Sequence, residues 1–221
     1  EILIGLVGSE MCIRDRSELI GRFGAELLGK ANYARFGQEF PLLVKFIDAR
    51  EDLSIQVHPD DELARKRHGK SGKCEMWYVL EAEPGASLLT GFSRPIAPAE
   101  YERRVADNTL TDVLNRQAIA SGDVFYLPAG RVHSIGKGSF IVEIQQSSDI
   151  TYRIYDFDRR DAAGNSRELH TELAREAIDF ESSENSRITY APENNQEVRL
   201  VTTPYFTTVS YTHLRAHETD Q

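Results

Sequence analysis

Short apolar runs, separated by polar residues and by Gly and Pro, extend along most of this chain. Residues 53–58 carry the sequence LSIQVH, in which apolar and polar side chains alternate strictly. A period of two is typical of a β-strand that turns one face toward a core. The pattern therefore predicts a half-buried strand with Gln56 and His58 side by side on its polar face.

Further runs predict a fold built mostly from strands. They cover residues 41–47, 75–82, 87–92, 124–127, 139–146, 150–157 and 197–202. Apolar residues at helical spacing predict helices at 18–36, 62–68, 98–115 and 167–178, and Asp60 can cap the second of these. Many short strands joined by Gly and Pro turns predict a mostly-β sandwich or small barrel with a few peripheral α-helices.

Composition and charge narrow the classes of partner. The 221 residues are 40% hydrophobic and carry a formal net charge of -9, with a pI near 5.2. An acidic chain is a poor partner for nucleic acid or an anionic membrane, although a local basic pocket can still bind an anionic small molecule. The two cysteines, Cys12 and Cys74, form no disulfide pattern, so we expect a cytoplasmic protein. No apolar run is long enough to cross a bilayer.

The two ends of the chain differ from its interior. Residues 10–16 and 209–219 show no helical or strand periodicity. Both resemble peptides that arise when sequencing-adapter DNA is translated. We therefore expect residues 1–16 and 209–221 to be non-native extensions, outside any reasoning about the fold.

Four side chains in strand or turn settings could hold a metal ion. Glu75 begins a strand after a Gly-flanked loop, and His133 follows a Pro-Ala-Gly turn. With Gln56 and His58 they offer two imidazoles, one carboxylate and one amide oxygen, which suits an open Zn²⁺ site and also admits Mn²⁺, Fe²⁺ or Co²⁺. Taken singly, each has an ordinary explanation as a hydrogen-bonded or solvated residue, so spacing alone leaves both interpretations open.

Four motifs in order identify a family resemblance. They are SIQVHPDD at residues 54–61, GKCEMWY at 72–78, PAGRVHSIG at 128–136 and EIQQSSDITYR at 143–153. Together they resemble the type I mannose-6-phosphate isomerases, in the short bacterial form of the cupin superfamily. The likeness covers roughly residues 19–208.

The resemblance implies a fold, an activity and a metal. The fold is a cupin-type β-barrel or jelly roll, and the activity is a zinc-dependent aldose–ketose isomerisation of mannose 6-phosphate and fructose 6-phosphate in mannose metabolism. One Zn²⁺ per chain would be held by Gln56, His58, Glu75 and His133. The family's active-site Arg and Lys fall on Arg153 and Lys73.

Catalytic and substrate-binding roles follow from the chemistry of these side chains. The guanidinium fork of Arg153 suits an enediolate oxygen or a phosphate, and Lys73 suits the phosphate or an acid–base role. Glu143 lies inside an apolar strand, where a carboxylate is either a satisfied structural acid or a base. Ser54, on the same face as Gln56, is expected to bind substrate.

The expected domains are a catalytic cupin domain with a helical insertion at residues 17–160, then a linker helix and the start of a truncated second cupin domain at 161–208. The family's usual N-terminal stretch is expected to be missing. We expect a monomer or homodimer that binds a small sugar phosphate.

Two other functions remain open at this stage. Two His and one carboxylate also resemble the iron site of a non-haem cupin dioxygenase. A truncated chain could also be a non-catalytic sugar-binding cupin fragment.

Overall fold

The computed structural model describes residues 4–5, 10–181 and 185–211. The strands are β1 Ile4–Gly5, β2 Leu42–Ala49, β3 Ile55–Val57, β4 Glu75–Ala82, β5 Ser87–Phe92, β6 Leu114–Ala118, β7 Val124–Leu127, β8 His133–Ile135, β9 Ser139–Gln146, β10 Tyr152–Tyr155, β11 Arg187–Ile188, β12 Glu197–Thr202 and β13 Thr207–Tyr211. The α-helices are α1 Glu10–Phe23, α2 Ala25–Leu28, α3 Lys30–Phe36, α4 Asp61–His68, α5 Pro98–Ala106 and α6 Thr171–Ala177. A 3₁₀ turn covers Leu110–Val113.

The strands form two large antiparallel sheets and one hairpin. The six-stranded sheet has the order β1-β2-β9-β4-β7-β11, and the five-stranded sheet has the order β10-β3-β8-β5-β6. Strands β12 and β13 pair only with each other. The predicted mostly-β fold with a few helices is confirmed. Among the described strands no pairing closes either sheet into a barrel.

Apolar side chains pack in three layers around these sheets. The layer between the two sheets contains Trp77, Leu88, Phe125, Ile135 and Ile141. A second layer lies between the five-stranded sheet and the helices, and it contains Ile55, Val57, Ala64, Tyr101 and Ala174. A third lies between the six-stranded sheet and the hairpin, and it contains Met76, Val124, Leu200 and Phe206. The central strands β5, β7 and β8 are therefore buried on both faces.

This layering corrects the expectation of a half-buried strand at residues 53–58. Ile55 and Val57 are fully buried, but His58 is also only 2% exposed and Ser54 only 5%. Helices cover one face of the five-stranded sheet, and the other sheet covers the opposite face. The alternation of apolar and polar residues at 53–58 therefore arises because the polar side chains face a polar site between the two sheets, not because they face solvent.

Two predicted helices are wrong in extent. Residues 18–36 are divided among the end of α1 and the short helices α2 and α3, because the chain breaks at Gly24, where φ is +47°, and again at Gly29. The predicted apolar stripe is consequently split, and Leu19 and Leu27 remain exposed. Residues 98–115 give α5, the 3₁₀ turn and the start of β6. Strand β6 lies at a sheet edge with a single partner, so its polar sequence showed no strand signal.

Periodic structure also extends into the segments expected to be foreign. Helix α1 begins at Glu10, and β13 continues to Tyr211. The absence of a helical or strand pattern in residues 10–16 and 209–211 thus did not exclude regular structure, because helix formers such as Arg and Glu, and β-branched or aromatic residues, favour the observed elements. Residues 212–221 lie outside the described part of the chain. Within that part, no helix combines the length and hydropathy needed to span a bilayer.

Helix α4 begins at the predicted cap. The Asp60 carboxylate accepts a hydrogen bond from the Leu63 amide at 2.8 Å. We expect Asp60→Ala to lower the free energy of unfolding by about 1 kcal/mol, because an N-cap acceptor is lost. Urea denaturation measures the change. Asp60→Asn, which keeps an acceptor, serves as the control, and an unchanged midpoint for Asp60→Ala would contradict the capping role.

Candidate metal centre and substrate cavity

Three neighbouring strands bring the first part of the site together. Gln56 on β3 lies directly opposite His133 on β8, and directly opposite Arg153 on β10. Because side chains opposite each other in a sheet point to the same face, these three share the face that looks toward the other sheet. Glu75 begins β4 on that facing sheet. Gln56, Glu75 and His133, which are far apart in sequence, therefore lie close together in the fold.

His58, Glu75 and His133 form a cluster that could hold a metal ion. One nitrogen or oxygen from each lies within 4.8 Å of the others. His58 Nε2 lies 3.5 Å from Glu75 Oε2, and His133 Nε2 lies 3.3 Å from Glu75 Oε1. All three residues are at most 2% exposed. His58 Nε2 and Glu75 Oε1 have no hydrogen-bond partner among the described residues, which is costly for buried polar atoms unless a ligand satisfies them.

The hydrogen bonds of the two imidazoles orient them for metal binding. His58 Nδ1 lies 2.8 Å from the Ile150 carbonyl, and His133 Nδ1 lies 2.8 Å from the Arg131 carbonyl. A carbonyl only accepts, so each Nδ1 donates its proton and each Nε2 presents a lone pair to the centre of the cluster. Burial and the nearby Lys73 charge lower the pKa of His58 to about 3, and burial lowers the pKa of His133. Both rings are therefore neutral, as metal ligation requires.

Gln56 lies beside this cluster. Its amide group approaches His133 Nε2 at 3.3 Å. The oxygen and nitrogen of an amide are distinguished by their surroundings, so the same position is open to the carbonyl oxygen of Gln56. An amide oxygen at this point would supplement the two imidazoles and the carboxylate.

Lys73 places a cation beside the carboxylate of the cluster. Its Nζ lies 2.8 Å from Glu75 Oε2 and 3.9 Å from Glu143 Oε1, and the residue is 4% exposed. Burial opposes its charge, but the two carboxylates raise the pKa of Lys73 above its ordinary value. Burial likewise opposes ionisation of Glu75, but Lys73 and the two neighbouring imidazoles together outweigh it, so the pKa of Glu75 falls well below the usual range. Both residues are charged at neutral pH.

Glu143 is a buried carboxylate with partners on both oxygens. Lys45 Nζ donates to Oε1 at 2.7 Å, and the Trp77 indole N–H donates to Oε2 at 3.2 Å. The three residues lie opposite one another across β2, β9 and β4. The Glu143 carboxylate is thus satisfied by structural hydrogen bonds. It also lines a cavity beside the cluster.

A cavity of about 400 Å³ adjoins the cluster. Gln56 and Ser54 form part of its wall. Six charged residues also line it: Lys45, Lys73, Glu143, Asp149, Arg153 and Arg167. Four are cations and two are acids, so the wall carries a local positive excess on a chain whose net charge is negative.

The two arginines lie close together and are held differently. Arg153 donates to the Glu168 carbonyl at 2.9 Å, while its Nε is buried with no hydrogen-bond partner among the described residues. Burial and the neighbouring Arg167 charge lower the pKa of Arg153 from its ordinary value. Arg167 is fixed by the Asp156 carboxylate, to which its Nε donates at 2.7 Å. Two guanidinium groups facing one cavity favour an anionic ligand.

Comparisons with known proteins show which family this chain resembles. A model of the type I phosphomannose isomerase catalytic domain matches residues 15–92. The mannose-6-phosphate isomerase of Streptococcus mutans is 40% identical over 169 residues, which are 76% of this chain and 53% of that protein. Mannose-6-phosphate isomerase ManA of Bacillus subtilis is 43% identical over 147 residues, 66% of this chain and 46% of that protein.

The chain is similar to the type I phosphomannose isomerases over part of their length. Its fold also matches the crystal structure of the Bacillus subtilis mannose 6-phosphate isomerase, with a TM-score of 0.76, 33% identity, 86% of this chain covered and 60% of that one. The chain spans about half the length of the curated relatives it matches.

The structure brings all eight predicted site residues to one place. His58, His133 and Gln56 lie around Glu75, while Ser54, Lys73, Glu143 and Arg153 line the adjoining cavity. Lys45 and Arg167 also line it but were missed. A lone Lys inside the apolar run at residues 41–47 was a usable signal for the first, whereas Arg167 lies in a polar loop with no local signal.

Proposed function

We propose that this chain forms the metal- and substrate-binding part of a zinc-dependent isomerase that interconverts mannose 6-phosphate and fructose 6-phosphate. One observation carries the proposal: a buried His–Glu–His cluster with unsatisfied ligand atoms adjoins a cavity whose wall is rich in cations. The first feature suits a metal, and the second suits a phosphorylated sugar. The matched relatives are named as mannose-6-phosphate isomerases.

We assign the metal to four ligands and propose one Zn²⁺ per chain. His58, His133 and Glu75 supply two imidazoles and one carboxylate, a set that zinc enzymes use with an open position for water or substrate. Gln56 supplies the fourth protein ligand through its amide oxygen. When bound, the ion supplies Lewis-acid polarisation of a sugar oxygen.

The phosphate is proposed to bind at the arginine end of the cavity. Arg153 and Arg167 offer two guanidinium forks for a dianion, and such forks bind phosphate oxygens in pairs. Asp156 holds Arg167 in place, so little side-chain freedom is lost on binding. With the phosphate there, the sugar carbons extend toward Gln56 and Lys73.

Proton transfer between C1 and C2 is assigned to the residues around Glu143. Its carboxylate is buried, oriented by Lys45 and Trp77, and faces the same cavity as Lys73. Glu143 accepts the proton from one carbon and returns it to the other, as a positioned carboxylate does in general acid–base catalysis. Lys73 and Arg153 stabilise the negative charge that develops on the enediolate oxygens.

A coupled isomerase assay on mannose 6-phosphate tests the proposal. We expect fructose 6-phosphate to form, activity to fall below about 1% after chelator treatment, and zinc to restore it, because polarisation of the sugar oxygen is lost with the metal. Both the 221-residue chain and a version extended to the length of its relatives are assayed.

Turnover that survives complete metal removal would contradict the proposal. Oxygen-dependent turnover with iron would favour the dioxygenase interpretation instead. An extended version that binds sugar phosphate without converting it would favour a sugar-binding role.

A further inference from the structure

One carboxylate outside the cavity contacts the segment that carries two site residues. Asp61, in the first turn of α4, accepts a hydrogen bond from the Gly72 amide at 2.8 Å through Oδ1. The same oxygen accepts from Gln146 Nε2 at 3.3 Å, and Oδ2 accepts from the Tyr205 hydroxyl at 2.8 Å. Asp61 thus joins α4, the end of β9 and the β12–β13 connection to residues 72–75.

Residues 72–75 are docked tightly against the start of α4. A Cβ atom on Gly72 would lie 2.4 Å from the backbone carbon of Asp60, so only glycine allows this approach. The Lys73 amide donates to the Pro59 carbonyl at 3.1 Å. Pro59 directly follows the metal-site residue His58, which makes this short contact a link between two parts of the site.

Gln146 also holds residues 72–75 in place through hydrogen bonds. Its side-chain Oε1 accepts a hydrogen bond from the Cys74 backbone amide at 2.8 Å. Its backbone amide donates to the Cys74 carbonyl at 3.2 Å. The backbone on both sides of Lys73 is therefore held by two side chains, Asp61 and Gln146, which also bond to each other. The side chains that emerge from this held backbone are those of Lys73 and Glu75.

We propose that Asp61 is a positioning residue for the isomerisation: by holding Gly72 and Gln146 it sets the places of Lys73 and Glu75 relative to His58. The proposal rests on the proposed function for its catalytic part. Asp61 touches neither the cavity nor the metal cluster, so its effect passes through the segment at residues 72–75.

The charge of Asp61 strengthens this arrangement. Burial opposes ionisation of the carboxyl, but the hydrogen bonds from Tyr205, Gly72 and Gln146 outweigh it and lower the pKa of Asp61. Hydrogen bonds to an ionised acceptor are roughly twice as strong as neutral ones. Loss of the acceptor leaves the Gly72 amide unpaired and frees the loop that carries Lys73.

Replacing Asp61 tests the proposal, with kcat/KM measured in the extended, zinc-saturated enzyme. We expect Asp61→Ala to lower kcat/KM about 10- to 100-fold, the range for residues that orient a metal site's immediate ligands. Asp61→Asn keeps an oxygen acceptor for Gly72 and should recover most of the loss. Arg65→Ala, which removes the exposed ion pair to Asp61 and a hydrogen bond to its backbone carbonyl but leaves the Asp61 carboxylate in place, is the matched control and should keep wild-type kcat/KM.

A double-mutant cycle with Lys73→Ala separates positioning from general destabilisation. If Asp61 acts through Lys73, adding Asp61→Ala to the Lys73→Ala enzyme should cost much less than it does in the wild type. Fully additive losses would overturn the proposal, as would wild-type kcat/KM in Asp61→Ala or an Asp61→Asn enzyme as poor as Asp61→Ala.

A separate readout keeps this inference distinct from the proposed function. Zinc affinity, measured by competition with a chelator, should fall in Asp61→Ala because Glu75 lies on the same held segment. If the wild-type protein fails to isomerise mannose 6-phosphate, the proposed function fails, and the zinc affinity of Asp61→Ala still decides the inference. An affinity equal to that of the wild type would then overturn it.

Discussion

Replacing His58 with alanine is expected to abolish both metal binding and isomerase activity. The imidazole presents Nε2 to Glu75 at 3.5 Å, and its other nitrogen is fixed by the Ile150 carbonyl. Loss of a residue that merely orients a ligand weakens metal affinity 10- to 100-fold, so loss of the ligand itself should exceed about 100-fold. Elemental analysis after gel filtration should find about one zinc per wild-type chain and far less in the variant, since a site left with fewer protein ligands no longer closes around the ion.

His68→Ala is the matched control for this experiment. His68 contacts the Tyr152 hydroxyl at 2.8 Å and is not part of the metal cluster. The control variant should retain its zinc and its turnover. A His58→Ala protein with full metal content and full activity would remove His58 from the ligand set.

Arg153→Ala should reduce turnover far more than metal content. The guanidinium group lies opposite Gln56 in the sheet, has a buried Nε without a partner among the described residues, and faces the cavity. Removing a fixed donor that stabilises developing negative charge costs about 10²- to 10³-fold in rate. We therefore expect kcat/KM to fall by this factor while the zinc content stays at the wild-type value.

Arg160→Ala provides the comparison, because the Arg160 side chain donates to the nearby Gly164 carbonyl in the polar loop and does not line the cavity. It should leave both turnover and metal content unchanged. Normal turnover in Arg153→Ala would remove Arg153 from the mechanism. Loss of zinc in parallel with turnover would assign it a role in holding the metal site together.

Strands flanked by clear turns could be predicted to the residue. The predicted boundaries of β4, β5 and β9 match the structure, because each is a run of β-favouring residues bounded by Gly, Pro or Ser. Strand β6 could not be predicted, since an edge strand needs no apolar alternation. The long predicted helix at residues 18–36 failed because the backbone breaks at Gly24 outweigh a regular apolar spacing.

The residues of the candidate site were likewise predicted only in part. Gln56, His58, Glu75 and His133 were predicted together from the family motifs, because residue types and turn settings alone left their ordinary explanations open. Lys45 and Arg167 were missed, although both line the same cavity. Lys45 stood out in the sequence as a lone Lys in an apolar run, but its contact with Glu143 depends on the pairing of β2 with β9. Arg167 is placed by its ion pair with Asp156, which has no local sequence signal.

The sequence by itself determined the chemical identity of the site: which residues can ligate a metal, which can bind an anion, and which face of a strand each occupies. Only the tertiary structure decided that Gln56 lies between His133 and Arg153, and that Glu75 meets the two imidazoles from the facing sheet. The physical reason is that a period of two assigns faces locally, whereas register and sheet packing arise from contacts between residues far apart in the chain. Asp61 shows the same limit, because its contacts with Gly72, Gln146 and Tyr205 exist only once the sheets and the hairpin have assembled.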